Sequence, residues 1–95
     1  MFPHSPKLDY VKKTTAGTSA TINTVTGSFR LVAASVAFTL TNNLITSTSR
    51  VFITLASNPG GSVGTVYVVV SNGSAVITCT TAPVSNTDFN FMVVN

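Results

Sequence analysis

From residue 18 onward, apolar and polar residues alternate with a period of two, the signature of half-buried β-strands. The pattern is cleanest in Val36-Ala37-Phe38-Thr39-Leu40-Thr41, where Val36, Phe38 and Leu40 share one face. Strands are predicted over 18–25, 28–32, 36–41, 50–56, 64–71, 74–80 and 87–94. Turn-forming clusters separate them: Asn42-Asn43, Ser57-Asn58-Pro59-Gly60-Gly61-Ser62, and Ala82-Pro83-Val84-Ser85-Asn86. Asn72-Gly73 is a strong hairpin signal because both residues tolerate positive φ. No helix-period segment of useful length is present. Short strands at regular spacing predict an all-β domain over residues 18–95, an antiparallel β-sandwich of six to seven strands.

Residues 1–17 read differently. Pro3 and Pro6 favour extended backbone at Phe2 and Ser5. Lys7, Lys12 and Lys13 interleave with Phe2, Leu8, Tyr10 and Val11. A segment of this kind has no core of its own and is expected to be an extended N-terminal attachment arm. Phe2 and Tyr10 would be its anchors, and Lys7, Lys12 and Lys13 would match an acidic partner surface.

Several of the predicted strands are apolar on both faces. In Arg50–Leu55, Val51, Ile53 and Leu55 point one way and Phe52 the other. In Val66–Val70, Tyr67 and Val69 oppose Val66, Val68 and Val70. In Phe89–Val94, Met92 and Val94 oppose Phe89 and Phe91. The outer face of a two-sheet domain normally meets water and should be polar. Parallel strands covered by helices would explain two apolar faces, but the sequence offers no helices. Phe52, Tyr67, Val69, Met92 and Val94 are therefore expected to form one exposed apolar patch that holds an oligomer together.

Composition supports a β-rich, weakly charged body. Val occurs 14 times and Thr 16 times in 95 residues, whereas Leu occurs five times and Glu and Gln are absent. Straight-chain helix formers are thus scarce, and β-branched residues dominate. Hydrophobic content of 44% argues against disorder. No run approaches the ~18–20 apolar residues of a membrane helix, and the first residues lack the pattern of a secretory signal. Of the cations giving a net charge of +3, only Arg30 and Arg50 lie outside the arm, too few for a nucleic-acid patch. Cys79 has no partner for an intrachain disulfide, which fits assembly in a reducing cytoplasm.

Candidate chemistry is sparse. His4 lies in the arm without a partner group, and Asp9 and Asp88 are the only carboxylate side chains. Asp88, after Asn86-Thr87, reads as a turn-capping group. Cys79 shares a face with Ala75 and Ile77 and reads as a core residue. Gly60-Gly61-Ser62-Val63-Gly64 lacks the Lys-Ser/Thr that completes a phosphate loop. Asn72-Gly73-Ser74 matches a glycosylation acceptor but is accounted for by the hairpin. No catalytic group, cofactor or metal site is expected.

The stretch from Gly27 to Asn95 resembles a small β-sandwich domain found at the ends of bacteriophage tail fibres and in other phage virion proteins. The resemblance lies in Ser35–Leu44, Arg50-Val51-Phe52, Thr65-Val66-Tyr67-Val68, Gly73–Thr78, Ala82-Pro83 and Phe89–Asn95. Its order of segments is also similar to the six-stranded H-type lectin sandwich. This chain has Phe91 where the family's closing motif carries Trp. The resemblance implies a homotrimer. With the arm, it leads to the expectation of a structural virion protein that decorates and cements a phage capsid, with itself and the major capsid protein as partners, and without nucleic acid or membrane. The alternative is a tail-fibre or receptor-binding tip with lectin-like binding to a host surface, where a sugar would be the ligand.

Overall fold

A computed structural model describes residues 10–95. The described chain is built of β-strands and connecting turns: β1 (Tyr10–Gly17), β2 (Ser19–Thr21), β3 (Thr26–Leu31), β4 (Ala37–Thr41), β5 (Arg50–Leu55), β6 (Val66–Ser71), β7 (Ser74–Cys79) and β8 (Thr87–Val94). They form two four-stranded sheets, ordered β1-β3-β8-β5 and β2-β4-β7-β6.

Both sheets are mixed. β1 runs parallel to β3 and β2 parallel to β4, while the other pairs are antiparallel. The all-β expectation therefore stands, but the purely antiparallel arrangement is corrected. The parallel pairs arise because the first extended segment crosses from one sheet to the other near Thr18. Its two halves each take an edge position, a pairing that residue alternation cannot reveal.

The sheets face one another across a shared apolar layer. Phe29, Leu31, Phe89, Phe91 and Val93 of the first sheet meet Phe38, Leu40, Ala75, Ile77 and Cys79 of the second. Phe29 stands at the centre, wholly buried. Its ring stacks on Phe38 with centroids 4.1 Å apart and on Phe89 at 5.4 Å. Offset stacking of this kind adds about 0.5–1.5 kcal/mol per pair beyond burial. Strand parity puts these side chains inside: residues 29, 31, 89, 91 and 93 are odd-numbered on paired strands, and every even-numbered partner points outward.

The turns are satisfied locally. Asn72-Gly73 closes the β6–β7 hairpin, as expected from the sequence, with Gly73 at φ +85°. Gly73 N–H donates to the Ile45 carbonyl, and Asn42 N–H donates to the Gly73 carbonyl. The side chain of Asn42 is wholly buried; its amide donates to the Thr24 carbonyl, and its oxygen accepts from Leu44 N–H. Ser49 donates a further hydrogen bond to Asn95 Oδ1, which ties Asn95 to the β4–β5 connection.

Candidate functional site

Two surfaces carry the residues singled out from the sequence: the margin where β5 and β6 lie side by side, and the edge formed by β1. β5 ends the first sheet, β6 ends the second, and the two strands pack against each other.

Along the β5/β6 margin, Phe52, Tyr67 and Val69 are 57%, 49% and 59% exposed, and Met92 and Val94 are also exposed. Each points away from the core, as its strand parity requires. The structure does not gather them into one patch. Phe52, Met92 and Val94 lie on the outer face of the first sheet, where Phe52 pairs directly with Met92. Tyr67 and Val69 lie on the outer face of the second, where Val69 pairs with the half-buried Val76. The expected single patch is thus two patches on opposite outer faces, flanking the same margin. Alternation fixes inside from outside, but it does not say which sheet a strand joins.

The margin between them is only half closed. Val51, Ile53, Val66, Val68 and Val70 point toward the core yet remain partly exposed, and Leu55 is exposed at the strand end. Edge strands of soluble proteins are usually guarded by Lys, Pro or bulges. β6 has none of these over its six residues. All the described charged residues (Lys12, Lys13, Arg30, Arg50 and Asp88) belong to strands of the first sheet, so the outer face of the second carries no described charge.

At the opposite edge, the described part of the expected arm is a strand of the sheet. Tyr10–Gly17 pairs with β3, with an irregularity between Lys12 and Ala16. The boundary expected at residue 17 therefore moves N-terminally, while Phe2 and Lys7 lie outside the described residues. Tyr10 reaches across β3 and donates its hydroxyl hydrogen to Asn90 Oδ1 on β8 at 3.1 Å, so this expected anchor is engaged with its own sheet. Lys12 and Lys13 are exposed. Charge and weak alternation hid β1 in the sequence; its pattern is that of an exposed edge strand.

An ion pair missed by sequence reasoning holds β1 down. Arg30 on β3 and Asp88 on β8 are register partners. Arg30 Nε donates to Asp88 Oδ1 at 2.6 Å and Nη2 to Oδ2 at 3.2 Å, while Nη1 donates to the Thr14 carbonyl of β1 at 2.8 Å. Asp88 is thus a clamp rather than the expected turn cap. The hydrogen bond from Arg30, and to a lesser degree the charges of Arg30 and Lys12, hold its carboxyl below the usual value against the opposing effect of burial. Two residues 58 positions apart met only through strand register, a relation with no local sequence signal. Cys79 lies in the core as expected, and burial pushes its thiol up.

The described residues enclose no pocket and contain no cluster of three or more His, Cys, Asp or Glu side chains. No family model, curated protein or solved structure matches this chain.

Proposed function

We propose that this chain is a structural, adhesive protein of a bacteriophage virion: a homotrimer that decorates and cements the capsid, held together along the β5/β6 margin and attached through its N-terminal segment. The observation that carries this reading is the pair of exposed apolar surfaces flanking a half-open margin, the second of them on a sheet face without a described charge. Their exposed side chains present about 500 Å² of apolar surface, taking aromatic side chains at about 150–250 Å² each. A standard interface covers about 800 Å² per partner, and the apolar share in homo-oligomers is about 65%, so the surface available equals the apolar area of one standard contact per copy. At roughly 25 cal/mol per Å², its burial provides about 12 kcal/mol before the costs of association.

The placement of β1 supports the attachment role. With β5 and β6 turned toward a symmetry axis, β1 lies three strand spacings away, about 14 Å, at the outer rim. Three N-terminal segments then leave from separated points, each able to reach a different capsid subunit, and simultaneous engagement multiplies weak contacts into tight attachment. The sequence resemblance to phage virion domains supplies the setting.

The test is deletion of residues 1–9, stopping short of β1, in the phage that encodes the chain. The variant is expected to keep the mass of the full-length assembly and to be lost from purified capsids. Retained capsid binding contradicts the cement mechanism. Reproducible binding of the full-length protein to a glycan array, with tail labelling in electron micrographs, favours the receptor-binding alternative instead.

A further inference from the structure

β5 and β6 are free edges of their sheets, and one side of an edge strand presents backbone N–H and C=O groups that the sheet does not pair. Alternation along each strand shows which residues these are. Thr80 N–H donates to the Thr65 carbonyl at 3.0 Å, so the positions of β6 bonded to β7 continue at Tyr67, Val69 and Ser71. The backbone groups of Val66, Val68 and Val70 point to the open side. Ala56 N–H donates to the Asp88 carbonyl at 2.7 Å, so on β5 the open positions are Val51, Ile53 and Leu55. We infer that the open edge of β5 in one copy pairs antiparallel with the open edge of β6 in the next, Ile53 opposite Val68, and that three such contacts close a ring. This inference rests on the self-association proposed above and names its contact.

Two connections fix how the strands sit. Leu55 and Val66 pair with Phe89 and Cys79, which flank the short β7–β8 connection, so they share one end of the sandwich. At the other end Ser47 N–H donates to Asn72 Oδ1 at 2.9 Å, tying the approach to β5 to the β6–β7 hairpin. β5 and β6 therefore run in opposite directions, with Val51, Ile53 and Leu55 level with Val70, Val68 and Val66. Turning a second copy about an axis along the strands keeps these levels, so the open positions meet without a rise, and a head-to-tail contact without a rise closes into a ring. Each facing pair exchanges two N–H···O bonds. Neither strand contains Lys, Pro or a bulge to block pairing. Arg50, the charge on β5, lies at the strand end, level with Ser71 and exposed. The first sheet of one copy thus runs on into the second sheet of the next, and Phe52 stands beside Val69 of that neighbour as a cross-strand pair. A pairing of two copies would leave this joined outer face flat and in water. The turn between copies in a ring of three folds its two apolar halves together, and leaves no β5 or β6 edge unpaired.

Hydrogen exchange of the intact chain tests the pairing, with Phe52→Lys/Val69→Lys as the single-copy reference. The amides of Val51, Ile53, Leu55, Val66, Val68 and Val70 should exchange at least about tenfold more slowly in the assembly than in the reference. Val68→Pro removes one N–H from the open side of an edge strand, a position where the folded chain tolerates Pro. It should sediment as one folded copy. A three-copy mass in which these amides exchange as fast as in the reference overturns the inference, as does a folded Val68→Pro chain that keeps the three-copy mass. A single-copy mass for the unmodified chain overturns the self-association reading itself.

Discussion

Gly27→Ala probes how the N-terminal strand is held. Gly27 lies on β3, buried, between Val11 of β1 and Phe91 of β8. A Cβ there would stand 2.6 Å from the Val11 carbonyl oxygen and 2.8 Å from Phe91 Cε2. Both distances lie well inside van der Waals contact, and neither neighbour yields freely. Val11 is bound into the ladder, and the Phe91 ring belongs to the core next to Phe29, with centroids 6.3 Å apart. Overpacking of this kind costs about 1–3 kcal/mol. At about 4–8 °C per kcal/mol for a domain of this size, Tm should fall by about 5–20 °C. β1 is the easier of the two neighbours to move, because it is an edge strand. Hydrogen exchange should therefore show its amides losing protection before those of β3 and β8. A thermal melt and an exchange profile check both parts. A Tm within about 2 °C of the parent, with β1 protection unchanged, would refute the close approach on which this reasoning depends.

Other perturbations address the core, the clamp and the thiol. Phe29→Ala removes the ring stacked on Phe38 and Phe89 and should cost about 3–5 kcal/mol in urea unfolding, a loss no smaller variant at an exposed position should match. Because the folded carboxyl of Asp88 titrates below its ordinary value, the stability from its pairing with Arg30 is complete above about pH 4 and is lost as pH falls through the depressed value. Asp88→Asn should flatten that acid limb of the urea midpoint against pH, and superimposable limbs would refute the clamp. Cys79 should resist a thiol reagent at mildly alkaline pH in the folded protein and react fully in guanidinium; fast reaction in the native state would place it outside the core.

Much of the architecture was legible because period-two alternation reports burial directly. Phe38, Leu40, Ala75, Ile77, Phe89 and Phe91 all occupy the inner faces their parity assigns. The outward orientation of Phe52, Tyr67, Val69, Met92 and Val94 was legible by the same rule. Sheet membership was not. β5 and β6 follow one another in sequence yet end different sheets, and only the three-dimensional arrangement separates Phe52 from Tyr67 onto opposite faces. β1 escaped because an edge strand exposed on most of its length has no apolar periodicity to read. Arg30 and Asp88 escaped because their contact is a product of register between β3 and β8.

Sedimentation of the intact chain beside the double variant Phe52→Lys/Val69→Lys addresses self-association most directly. The substitutions place one charge on each apolar surface and leave every buried side chain untouched. The parent should sediment with the mass of three 9.9-kDa chains and the variant as one folded chain with an unchanged far-ultraviolet spectrum. A parent that stays a single copy at micromolar concentration, or a variant that keeps the three-copy mass, would contradict it.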